Sequence, residues 1–144
     1  MSEKIPVVID LMTKVIDGTR KETTNHRLEG TLISKGTSTY IRYIEQTEDT
    51  GRVRNVVKMA GNEVTIIRNG AVSMHQQFQK GQVTQGNYGT PFGTMHMETA
   101  TKRLDYHWKP EEGNGKLELT YQLKLQGRDL GRVTFMLTIR EADG

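Results

Sequence analysis

The chain has 144 residues, 20 basic and 17 acidic side chains, a formal charge of +3, 34% hydrophobic residues and no cysteine. That is the length of one domain, read here as a single unit spanning 1–144. A chain without cysteine has no disulfide framework, thiolate nucleophile or Cys-x-x-Cys redox pair, which points to a reducing, cytoplasmic setting.

The first segment, Ile5 to Ile16, alternates Val7, Ile9, Leu11 and Val15 on one face with Asp10, Met12 and Lys14 on the other. Alternation with period two marks a half-buried strand, and Asp17-Gly18 turns it. The charges at Asp10 and Lys14 break the N-terminal apolar run. No signal peptide and no membrane span are therefore expected. Lys21 to Ser34 is poorly patterned, with Leu28 and Leu32 in phase around Gly30, and is read as a strand bulged or bent at Gly30.

Ser38 to Gln46 is a β run, turned by Glu48-Asp49-Thr50-Gly51. Arg52 to Met59 follows, with Val53, Val57 and Met59 on one face and Arg52, Arg54 and Lys58 on the other. Ala60-Gly61-Asn62 leads into Glu63 to Arg68. Asn69-Gly70 then has the composition of a type I′ hairpin turn, which needs two residues tolerant of positive φ. Ala71 to Phe78 sets Val72, Met74 and Phe78 together, and Lys80-Gly81 connects to Gln82–Gln85. Gly86 to Gly93, with Gly89 and Pro91 between, is expected to be a shaped loop or an irregular edge.

Beyond it, Met95, Met97, Thr99 and Thr101 share one parity, while Leu104, Tyr106 and Trp108 share the other. A bulge at about Lys102 would turn both sets to one face. A polar turn at Pro110–Gly115 precedes the clearest alternation in the chain, Leu117, Leu119, Tyr121, Leu123 and Leu125. After Gln126-Gly127-Arg128, the closing strand puts Val133, Phe135, Leu137 and Ile139 inward. Glu141 to Gly144 is read as a frayed end.

No segment has a helical period. Short turns make successive strands antiparallel. A long meander exposes two edges unless it closes. The expected fold is all-β: one antiparallel meander closed into a barrel of about 8–10 strands, a size whose interior is filled by side chains or holds one small ligand.

Several stretches resemble the YwiB-like bacterial family. They are Arg52-Val53-Arg54-Asn55-Val56-Val57-Lys58, the hairpin Val64-Thr65-Ile66-Ile67-Arg68-Asn69-Gly70, and Tyr88-Gly89-Thr90-Pro91-Phe92-Gly93-Thr94. The Leu117–Leu125 and Val133–Ile139 strands fit its closing pair. The family is an uncharacterised group of small β-barrels, related in architecture to the calycins (lipocalins and fatty-acid-binding proteins). The resemblance implies a calycin-like barrel in the bacterial cytoplasm. It brings no established activity and no site residues.

The residues themselves supply little chemistry. His26, His75, His96 and His107 lack metal-motif spacing. Only His75, His96 and Glu98 would make a site, given the right strand register, and their neighbours place them on a wet face. No Gly-x-Ser-x-Gly elbow surrounds Ser34, Ser38 or Ser73. Glu45, Glu48, Asp49, Glu111 and Glu112 fall in predicted turns, where carboxylates are solvated rather than paired for acid–base work. No enzyme activity and no cofactor are expected.

Arg68 continues the inward parity of Val64 and Ile66, so it needs a carboxylate or an anionic ligand beside it. The parity of Arg42, between Tyr40 and Ile44, leaves its face open. Met59, Met74, Met95 and Met97 gather on the lining, and thioethers adapt to varied apolar ligands. The expected function is binding of a small amphipathic or anionic ligand inside the barrel. Tyr40, Arg42, Arg68 and Tyr106 would make its polar contacts, with Met74, Met95 and Met97 lining it. The alternative is a protein- or nucleic-acid-interaction module that uses the outer surface, where Arg52, Arg54 and Lys58 form a stripe able to track phosphates. Near-balanced charge and 6% aromatic residues argue against nucleic acid as the partner. Sequence does not specify the oligomeric state.

Overall fold

A computed structural model describes residues 2–48, 51–109 and 112–142. Ten strands follow in chain order: β1 (Ser2–Asp17), β2 (Arg20–Lys35), β3 (Ser38–Thr47), β4 (Gly51–Ala60), β5 (Glu63–Gly70), β6 (Ser73–Gln79), β7 (Val83–Thr90), β8 (Gly93–Lys109), β9 (Asn114–Leu125) and β10 (Arg128–Glu141). Each pairs antiparallel with the next, and β1 pairs with β10 as well as with β2, so the meander closes into a barrel. The closing ladder is long, from Val7↔Glu141 to Ile16↔Arg132.

The period-two pattern fills the interior. Val7, Ile9, Leu32, Ile41, Val57, Val64, Phe78, Leu117, Leu119 and Leu137 are all buried to 1% exposure or less. The Phe78 and Tyr121 rings meet edge to face with centroids 4.8 Å apart, a preferred aromatic geometry. The predicted bulge is present: β8 slips against β9 between Thr101 and Arg103. Met97 and Thr99 on one side of it and Leu104, Tyr106 and Trp108 on the other therefore all turn to the core.

Four local expectations are corrected. Gly86 to Thr90 is not a loop but the second half of β7, paired with β8 from Val83↔Ala100 to Thr90↔Gly93. Its glycine answers to crowding, since a Cβ at Gly86 would press into the His75 carbonyl oxygen of β6. Asn69-Gly70 is not the turn either. Gly70 stays in the ladder opposite Val53, its φ of +138° bringing the backbone against Arg52, and the chain reverses at Ala71-Val72. At Gly30 there is no bulge, and β2 keeps its register with β1 throughout. The expected frayed end is not frayed where it is described: Glu141 pairs with Val7, and the Ala142 N–H donates to the Pro6 carbonyl at 2.9 Å. Parts of the turns predicted at Asp49-Thr50 and Pro110-Glu111, and the last two residues, lie outside the described residues.

Gly30 marks a different event. β2 pairs with β3 only from Lys35↔Ser38 to Gly30↔Tyr43. Continuing that register would set Glu29 opposite Ile44 and Leu28 opposite Glu45, and those pairs do not form. At the split, β2 passes so close to β3 that a Cβ on Gly30 would meet the Arg42 carbonyl oxygen and lie 2.6 Å from Ile9 Cδ1. Backbone cannot yield as a side chain can. Gly30→Ala is therefore expected to cost about 1–3 kcal/mol as an overpacked site. A lowered urea midpoint with an unchanged m-value checks this, and an unchanged midpoint would refute the crowding.

Candidate functional site

The odd-to-even hairpins β1/β2, β3/β4, β5/β6, β7/β8 and β9/β10 gather at one end of the barrel, called here the upper mouth. Just inside it, a row of inward side chains runs across six strands in register: Tyr43↔Asn55↔Arg68↔Met74↔Tyr88↔Met95. The structure thus brings together three sequence-predicted site residues, Arg68, Met74 and Met95. Met97 follows two residues deeper on β8, 4% exposed.

Arg68 faces inward as its parity requires, and its charge is answered within the fold. Its Nε donates to Asn55 Oδ1 at 3.1 Å, and its Nη2 lies 3.5 Å from Glu45 Oε1. Asn55, 2% exposed, completes its bonding by donating to the Val53 carbonyl at 3.3 Å. Sequence places Glu45 among acids expected in turns. It instead continues β3 inward beyond Ile41 and Tyr43, a parity visible in the sequence but obscured by the acidic run that follows. Burial pushes the Tyr43 phenol well above its usual value. The Glu45 carboxylate adds to that shift and Arg68 opposes it.

The other predicted contacts lie elsewhere. Tyr106 sits at the opposite end, beside Trp108, Met59 and Leu117, against an enclosed space of only about 10 Å³. That is about one water-probe sphere, far below the several hundred cubic ångströms, roughly, of a ligand site. Tyr40 and Arg42 are on the outside: Ile41 and Tyr43 take the inward positions of β3, 1% and 5% exposed, and the residues alternating with them must face out. Lys58 Nζ lies 5.7 Å from the centre of the Tyr40 ring. His75 and His96 share the outer face but are held apart by Asn87 of β7, to which both are paired, and the His96 ring bonds Gln85.

The outer surface carries the largest concavity described. A groove of about 720 Å³ lies where β2 leaves β3, lined by Glu29, Thr31, Arg42, Ile44, Arg54 and Val56 among others. Ile44 is 45% exposed on its wall. Arg42, Arg52, Arg54 and Lys58 share the outer face of β3 and β4. None of the four has a carboxylate within 4.0 Å among the described residues, a condition they share with most of the chain's surface cations; Arg27, Arg68, Arg103, Lys109, Lys116 and Lys124 are the ones with such a partner. A shallower outer groove of about 400 Å³ over β1, β2 and β10 is bridged by the Arg27–Asp10 pair at 2.8 Å.

A closed ten-stranded meander, with an Arg68–Glu45 ion pair at one mouth and a row of cations on its outer wall, belongs to the class of small closed β-barrels. The chain belongs to the family described as a domain of unknown function, DUF1934, whose model matches residues 9–137. It is 28% identical over 123 residues to the uncharacterized beta-barrel protein YwiB of Bacillus subtilis (strain 168), covering 85% of this chain and 84% of that protein. The crystal structure of the ywiB protein from Bacillus subtilis superposes with a TM-score of 0.85 at 24% identity, over 97% of this chain and 94% of that one.

Two measurements probe the interior. Arg68→Ala leaves Asn55 Oδ1 buried and Glu45 without its cation. About 1–3 kcal/mol of stability should be lost, read as a drop in urea midpoint; a neutral result would mean the triad is solvated. Burial also pushes the Tyr121 phenol up to about 12, against a hydrogen bond from Gln76 that lowers it. A raised folded value means stability is intact below the unfolded pKa of about 10 and is lost as pH climbs from there toward the folded value. The unfolding midpoint should hold from about pH 7 to 9 and fall above about pH 10, less steeply in Tyr121→Phe; equal slopes in both proteins would contradict it.

Proposed function

We propose that the chain is an interaction module whose outer surface over β2–β5 receives an anionic partner, with its calycin-like barrel acting as a rigid support. One contrast carries the reading: the inward Arg68 is matched by Glu45 and Asn55, while Arg42 and Arg54, unmatched among the described residues, line the largest groove described, with Arg52 and Lys58 on the same outer face. Unpaired cations on one strand pair raise the local positive potential and attract anions at a distance. The packed middle of the barrel supports the same reading, because Phe78, Leu119 and Tyr121 occupy the space the expected container would need, while a concavity of about 320 Å³ lined by Val15, Leu123 and Val133 lies only at its upper end. The lack of cysteine fits a protein working in a reducing cytoplasm.

The half-buried row Arg68, Met74, Tyr88 and Met95 favours a second reading, in which a small amphipathic anion lodges at the upper mouth. Displacement of a fluorescent fatty acid, lost in Met74→Trp, would support that form.

For the leading reading, a fluorescein-labelled heparin fragment serves as a general polyanion. Binding should weaken steeply between about 50 and 200 mM salt. The double variant Arg42→Ala/Arg54→Ala should bind about five- to tenfold more weakly with unchanged stability, as expected of exposed charges. Equal binding by Arg103→Ala and the double variant would place the attraction in net charge and remove this surface from consideration.

A further inference from the structure

The split between β2 and β3 leaves two strand edges facing one groove. From Arg20 to Glu29, β2 is paired on one side only, with β1, and from Ile44 to Thr47, β3 is paired on one side only, with β4. Each edge carries backbone N–H and C=O groups that take no part in the barrel's own ladders. Such edges are templates for another strand unless charge or a covering element blunts them. The far part of the β2 edge is blunted in this way by Arg20, Lys21 and Glu22. Next to the split, the guard relaxes: Leu28 is half-buried, and Ile44 is 45% exposed.

We propose that the groove is a strand-addition site, and that the anionic partner is an extended polypeptide segment with acidic residues at alternate positions. This rests on the outer-surface reading above and names its occupant. Main-chain hydrogen bonds to the β3 edge, and to the β2 edge beside Leu28 and Glu29, hold the segment. Alternate side chains then fall on opposite faces. One set points over Leu28 toward the upper mouth. The other faces out beside Ile44, under Arg42 and Arg54, whose two charges outweigh the single Glu29 on the same groove. A nucleic-acid strand fits less well. Stacking platforms hold single strands, and the aromatic side chain of this groove, Tyr43, is 5% exposed.

The probe is a blocked octapeptide of alternating glutamate and valine. Its comparator is the same peptide N-methylated at every second residue, with identical charge but without the donors that face one edge. The plain peptide should bind with salt-sensitive affinity, at least about tenfold tighter than the methylated one, the worth of one or two net hydrogen bonds. Amide exchange at Leu28, Glu29, Ile44 and Glu45 should slow on binding, and Arg54→Ala should weaken binding about fivefold. Equal binding of both peptides without slowed exchange overturns strand addition and leaves the outer-surface reading standing. Tighter binding of oligo(dT), competing with the peptide, assigns the groove to nucleic acid. If peptide, oligo(dT) and heparin fragment all fail to bind at low salt, both the occupant and the surface reading fall.

Discussion

Everything in this barrel depends on β1 holding two partners at once. Its ladder to β10 closes the meander, and its ladder to β2 runs the full length of both strands. Closure satisfies the backbone groups of β1 and β10 and encloses the alternate side chains of ten strands in one dry space. β1 engages one edge of β2 along its whole length, while the other edge of β2 leaves β3 at Gly30, and the wall opens there. The groove lies at that opening, and its arginines are placed by the phase of β3 and β4.

Arginines on the two surfaces of one sheet illustrate how position sets role. Arg68 and Arg54 lie on neighbouring strands, β5 and β4, and differ in parity. Arg68 is 25% exposed at its side chain and meets an amide oxygen and a carboxylate, because a charge brought into low dielectric costs more than its attraction returns unless its donors are matched. Arg54 is in water, where a missing partner costs little and leaves its field free to act. An anion-seeking group is therefore found where solvation tolerates an unmatched charge. That argument favours the outside of this barrel over its interior.

Much of the architecture was legible in the sequence, because period-two patterning is a direct record of burial. Leu117 through Leu125, Val133 through Ile139 and the parity switch at Lys102 all have their predicted faces. What escaped were features set by neighbouring strands. Gly86 reads as a loop residue until the His75 carbonyl is seen above it. Gly70 reads as a turn until Arg52 is placed beside it. The site was less legible still. Arg68, Met74 and Met95 do converge, yet Tyr106 belongs to the opposite end and Tyr40 and Arg42 to the outer wall, since alternation alone does not say which face of β3 is dry. Glu45, the partner Arg68 requires, was hidden among turn-forming acids. The groove itself arises from a pairing that stops, and no local sequence signal marks that.

The slip between Thr101 and Arg103 has a consequence for how this chain can vary. It lets two runs of opposite phase share one core, at the cost of a buried Thr101 hydroxyl with no partner. Side chains along β8 are free to be exchanged for others of similar size. The residue count is freer at one point only. Lys102 is the extra residue, so loss of its codon would join Thr101↔Tyr121 and Arg103↔Thr120 into one unbroken ladder with Leu104, Tyr106 and Trp108 still inward. Loss of a codon between Leu104 and Trp108 would instead turn the residues beyond it to the other face, so this strand should vary in length at its bulge and nowhere else.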